Sequence, residues 1–223
     1  SSSLLSTDGY ENITTLPPYA DVSKTLFGLA IRKENLDYRF NPRKGYSIDF
    51  SGSVGKKVIE ENPNINEVVY DSVQLTSTNY HVELSINYYV PLAQRHVLCF
   101  TATAGYMKSE NIFTNELFRL GGLRSLRGFD EESIYASQFV IGKIEYRYLL
   151  DVNSFLFLFY NQGYYENYAA SPFIHDKPLG FGTGITFETR LGIFAFSYAL
   201  GKEFSNPVYF RSGKIHFGVV NYF

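Results

Sequence analysis

Tryptophan is absent, methionine and cysteine occur once each, and no stretch approaches the roughly 20 consecutive apolar residues of a membrane-spanning helix. A lone Cys99 excludes an internal disulfide, and its place in an alternating segment reads as a small packing residue rather than a reactive thiol. Basic excess is also missing: 20 Lys and Arg against 22 Asp and Glu give a formal charge of -2, so no field suited to nucleic acid exists. His81, His96, His175 and His216 lack metal-site spacing, and no phosphate loop or nucleophile elbow occurs, so we expect no enzyme, no metal and no cofactor. The mean hydropathy of -0.13 would ordinarily indicate a soluble protein. That inference fails for strands whose alternate residues face lipid and water, because they average to neutrality and keep the membrane signal only in their period of two.

What is abundant is aromatic and small: 19 Tyr, 20 Phe and 18 Gly, a composition suited to many strands joined by tight turns. The pattern predicts an all-β fold of nine strands, over Lys24 to Leu36, Gly45 to Lys57, Val73 to Val90, His96 to Lys108, Gln138 to Leu149, Ser154 to Gly163, Leu179 to Thr189, Gly192 to Lys202 and Arg211 to Phe223. Connections alternate between short turns (from Asn41, Pro91, Leu150 and Thr189) and longer polar loops (from Lys57, Ser109, Tyr164 and Glu203), as the two rims of an outer-membrane barrel do. Val82, Leu84, Ile86, Tyr88 and Val90 oppose His81, Glu83, Ser85, Asn87 and Tyr89, giving one greasy and one wet face. The same reading sends Leu156, Leu158, Tyr160, Phe181, Ile185, Phe187, Phe194, Phe196, Tyr198, Leu200 and Ile215 to lipid, and Glu83, Glu145, Asn161 and Glu188 inward. Phe155, Phe157 and Phe159 share a face with Asn161, so hydropathy alone does not orient that strand. Tyr80, Tyr106, Tyr148 and Tyr160 near strand ends suit interfacial girdles. Period alone leaves a soluble sandwich equally open.

The segment Arg119-Leu-Gly-Gly-Leu-Arg-Ser-Leu-Arg-Gly-Phe129, followed by the strand Gly142-Lys-Ile-Glu-Tyr-Arg-Tyr148, resembles the signature loop of the BamA/TamA-like outer-membrane assembly superfamily, which also includes two-partner secretion transporters. Asp37 to Gly45, Phe194 to Ala199 and the terminus His216-Phe-Gly-Val-Val-Asn-Tyr-Phe223 extend the resemblance over nearly the whole chain. Leu126 stands where the family often has Val, and Asn221 where its terminal signal is usually apolar. The resemblance implies an antiparallel transmembrane β-barrel, with these nine strands as the last of an expected sixteen, residues 1–23 as an extracellular loop and 109–136 as a loop folded into the lumen. It also implies that early strands and periplasmic POTRA domains lie outside this chain, which is then expected to be a fragment or to close with another polypeptide or a second copy.

The implied site is structural. Gly121 and Gly122 would turn the loop, and Arg127, Gly128 and Phe129 would form its tip, with Glu145 as docking acid. Asn161 and Gly163 occupy a family segment that usually carries Asp, so Arg127 and Glu145 are expected to carry more of the docking, with Glu188 a possible second acid. Lys143 and Arg147 read as solvated lumen charges, and Gly182 and Gly184 as places where the loop approaches or the strand bends. His216, Gly218 and Phe223 fit a C-terminal signal for barrel assembly. The function implied is insertion or assembly of polypeptides at the bacterial outer membrane, with lipids, client polypeptides and accessory lipoproteins as partners. Alternatives are a two-partner secretion transporter, or a passive pore or membrane anchor of a fused surface enzyme.

Overall fold

The computed structural model describes residues 17–62, 65, 67–71 and 73–220; Phe223 and most of the 1–23 segment lie outside them. Among the described residues twelve strands form: β1 Val22–Leu36, β2 Gly45–Ile59, β3 Thr76–Ala93, β4 His96–Lys108, β5 Phe118–Leu120, β6 Ile134–Ala136, β7 Gln138–Leu149, β8 Phe155–Asn167, β9 Ile174–Asp176, β10 Leu179–Thr189, β11 Gly192–Lys202 and β12 Lys214–Val220. Nine of them make one antiparallel meander in the order β1-β2-β3-β4-β7-β8-β10-β11-β12, so pairing among the described residues leaves β1 and β12 at its two ends. β9 pairs with β8, and β5 and β6 form a separate hairpin within the β4–β7 loop.

Several strands differ from the sequence expectation at their ends. β3 starts three residues later and continues through Pro91 to Ala93, with a register irregularity between them, and β8 runs four residues past Gly163. Proline within β3 supplies no donor, and the irregularity accommodates that loss beside the turn.

Registers fix the two faces. Leu84 lies across from Phe50 and Ala104, Tyr88 across from Tyr46 and Phe100, and Leu158 across from Tyr146 and Thr183, so these positions share an outer face. Leu158 is 58% exposed and Ile215 77% exposed on that face. Phe187, Phe194, Phe196 and Phe217 form a continuous aromatic cluster there, with Phe196 and Phe217 centroids 4.7 Å apart. Tyr46, Tyr88, Tyr146 and Tyr148 lie towards the short turns, and Tyr80, Tyr106 and Tyr164 towards the long loops. The eight residue steps from Tyr80 to Tyr88 span about 26 Å of strand, or roughly 20 Å along the normal at a barrel tilt, close to the height of a bilayer's apolar band.

One outer assignment fails: Leu200 is only 5% exposed, although it alternates with the exposed Phe196 and Tyr198. It sits at the long-loop end of β11, where the following segment folds back and the Tyr198 hydroxyl donates to the Phe210 carbonyl at 2.5 Å.

The opposite, inner face carries the core. Phe155, Phe157 and Phe159 are buried there with Val97, Cys99, Leu149 and Ala199, while Leu156, Leu158 and Tyr160 face out. The run is apolar on both sides because its inner row is covered by protein instead of water.

Candidate functional site

The β4–β7 connection folds against the inner wall. Its turn begins at Gly121 and Gly122, whose φ values of +113° and +86° suit glycine, and one hydroxyl closes it: Ser125 Oγ accepts from Gly121 N–H and donates to Gly121 O, both at 2.7 Å. The β5–β6 hairpin supports the loop from outside the tip, pairing Phe118 with Ala136 and Leu120 with Ile134. Leu120, Leu126, Phe129, Ile134 and Ala136 then bury themselves against Ile141 of β7 and Tyr165 of β8. Burial of about five such side chains supplies several kcal/mol towards ordering the loop, so its position does not depend on polar contacts alone.

At the tip, Arg127 Nη1 lies 2.6 Å from Glu145 Oε2. Its guanidinium carbon stands 3.6 Å from the centroid of Phe159 and 5.5 Å from that of Phe157, over the aromatic row that the sequence left unoriented. Such a desolvated stack contributes about 0.5–2 kcal/mol and explains why the wall under a cation is aromatic. Asn161 is fully buried, and its Oδ1 accepts from Arg127 Nη2 at 3.5 Å, the outer limit of a hydrogen bond. Glu145 and Phe159 therefore hold the guanidinium, with Asn161 a weaker third contact.

Glu145 is shared. Its other oxygen takes Arg147 Nε at 2.8 Å, while Arg147 Nη1 donates to Asn41 Oδ1 at 3.0 Å and its guanidinium stacks 4.7 Å from Phe155. Asn41 in turn donates to the Val152 carbonyl at 2.8 Å. Arg147 is thus a member of the buried network, which runs from the β1–β2 turn to the loop tip, and not a solvated charge. Lys143 also touches the loop, donating to the Arg124 carbonyl at 2.5 Å. Glu188 is placed elsewhere, accepting from Asn153 Nδ2 at 3.1 Å. Gly163 belongs to a different contact as well: its N–H donates to the Pro178 carbonyl at 2.7 Å, and its missing side chain makes room for the Pro178 ring.

The glycines divide their work differently from the expectation. A Cβ on Gly182 would stand 2.9 Å from the Phe159 ring, and one on Gly184 would stand 2.3 Å from the Phe157 ring, so these two admit the aromatic row rather than the loop. The loop backbone is admitted by Gly180 and Gly201, where a Cβ would meet Arg127 O at 1.9 Å and Gly128 O at 2.3 Å. Gly128 itself holds φ +103° and passes close to the Leu200 carbonyl. Gly180→Val is therefore expected to lift the tip from the wall at a cost of about 1–3 kcal/mol, read as greater protease sensitivity of the 121–131 segment with the sheet intact.

A second anchor lies nearer the long-loop rim, and no motif marked it. Glu116 is held by Lys24 at 2.7 Å and by Lys57, whose side chain is completely buried and also donates to the Asn111 carbonyl. The Phe113 N–H adds a third bond to Glu116 at 3.0 Å. Burial by itself would raise this carboxyl, but the lysines and the backbone donor outweigh it and hold Glu116 below the ordinary carboxylate range. Among the described residues, no group of three His, Cys, Asp or Glu side chains stands close enough to hold a metal ion.

An antiparallel meander with an apolar, aromatic-rich outer face and a loop folded onto its inner wall has the features of a stretch of outer-membrane barrel wall. The Omp85 superfamily domain matches residues 7–223, and the chain belongs to that superfamily, a family of outer-membrane assembly and transport proteins. No curated protein matches the chain.

Proposed function

We propose that this barrel segment serves a BamA/TamA-type factor that inserts client polypeptides into the bacterial outer membrane, with Gly121, Gly122, Arg127, Gly128, Phe129, Glu145 and Asn161 as the seat of its lumen loop. The observation that carries the reading is the Arg127 tip, embedded between a carboxylate and an aromatic wall and backed by glycines that make room for its backbone. An arrangement so enclosed fixes a loop relative to strands. In this reading lipid surrounds the outer face, the last strand β12 provides the edge on which an incoming strand pairs, and the docked loop keeps the barrel in the geometry that permits pairing.

The test uses the full-length parent protein in liposomes of outer-membrane lipid, supplied with an unfolded client barrel. Arg127→Ala is expected to slow client insertion by about tenfold or more while the protein stays folded, because a loss of roughly 1.4 kcal/mol of positioning already gives tenfold. Insertion at the wild-type rate with the loop shown to be displaced would remove the loop from the mechanism.

A further inference from the structure

The inner face of β12 presents Lys214, His216 and Gly218 at alternate positions, and all three meet the β4–β7 loop. Lys214 Nζ lies 2.8 Å from the Asp130 carboxylate. His216, buried, accepts the Gly128 backbone N–H on Nε2 at 3.1 Å, which requires a neutral ring with its hydrogen on Nδ1. Gly218 leaves the space that Leu123 fills, since a Cβ there would stand 2.5 Å from Leu123 Cδ2. Among the described residues, β12 pairs within the sheet only with β11, through a register that runs from Ile193↔Val220 to Ala199↔Lys214. Its outward residues Ile215, Phe217 and Val219 are exposed, so the inner side supplies much of what fixes this strand.

We propose that loop residues 123–130 are an inner brace for the last strand, so that displacing the loop and loosening β12 from β11 are one coupled event. The contacts reach β12 from a segment whose own seat is Arg127 on Glu145, so any change that lifts the tip pulls the Gly128 N–H from His216 and Asp130 from Lys214. Conversely, a β12 that peels away removes three of the loop's partners. The brace stands on this geometry alone; any effect of the coupling on client insertion rests on the assembly reading above.

Hydrogen exchange read by mass spectrometry on the full-length protein in lipid nanodiscs tests it, using the peptide that covers residues 214–220. The double variant Leu123→Ala with Asp130→Ala leaves β12 itself unchanged, and His216→Phe removes the acceptor while keeping a ring. Each is expected to accelerate exchange in 214–220 by about three- to tenfold, with β3 and β4 unaffected, as loss of one or two net contacts predicts. Arg119→Ala, which removes the exposed contact to Glu132 and the stack over Tyr135 in the same loop, is expected to leave 214–220 at the wild-type rate. Wild-type exchange in 214–220 for the Leu123/Asp130 variant would overturn the brace. Faster exchange together with unchanged client insertion would keep the brace and count against the assembly reading instead.

Discussion

Glu145→Ala is expected to weaken the barrel more than Arg127→Ala does, and to release both the loop tip and the β1–β2 turn. Removing Arg127 leaves Glu145 still paired with Arg147, so the cost is one ion pair and one stack, about 1–3 kcal/mol. Removing Glu145 leaves two guanidinium groups with no counter-charge in a region where their side chains are only 10% and 16% exposed. Breaking a buried pair in this way costs about 3–5 kcal/mol, and the residual solvent contact lowers the expectation to about 2–4 kcal/mol. Urea titration of the folded protein, followed by the gel shift of the unfolded form, reads the difference directly. Equal midpoints for the two variants would show that Arg147 does not depend on Glu145.

The second large effect separates the two faces within one strand. Leu84 and Ser85 are neighbours in β3, but Leu84 lies on the outer face midway between Tyr80 and Tyr88, whereas Ser85 faces inward with Asn87 and Glu83. An arginine at the lipid midplane costs about 2–4 kcal/mol, whereas an inward arginine on an open polar surface costs within about 0.5 kcal/mol. Leu84→Arg is therefore expected to reduce the assembled fraction in membranes by an order of magnitude or more, with Ser85→Arg near wild type. The neighbouring pair Phe196 and Ser197 would be a poorer choice, because Ser197 is only 3% exposed and arginine there would fail for packing reasons. Matching losses at Leu84 and Ser85 would mean that the outer face meets protein, as in a soluble sandwich.

The nine long strands were legible because a period of two survives any averaging of hydropathy, and the turns carried Gly, Pro and Asn where a chain must reverse. The orientation of Phe155-Leu-Phe-Leu-Phe159 was not legible from hydropathy, because both of its rows are apolar. Its signal lay in the partner strand: Gly182 faces Phe159 and Gly184 faces Phe157 in the register, a pairing of aromatic rings over glycines that needs the strand alignment before it can be read. Arg127 and Glu145 were legible from a family-like motif, whereas Arg147 looked solvated because alternation shows which face a residue takes and not what covers that face. Glu116, Lys24 and Lys57 come together from a loop and two strands with no local spacing to betray them. His216 was read only as part of a terminal signal, since nothing in a strand's own sequence shows that a loop 88 residues away presses on it.

The central claim is that the loop tip is seated on the inner wall through Arg127 and Glu145, and a double-mutant cycle in the full-length protein tests it most directly. Arg127→Ala, Glu145→Ala and the double variant would be compared by urea unfolding in the same lipid. The account predicts a coupling energy of about 1–3 kcal/mol between the two positions, because the pair is in contact and nearly dry. Additivity within about 0.3–0.5 kcal/mol would contradict it, placing the Arg127 tip away from Glu145 in the membrane.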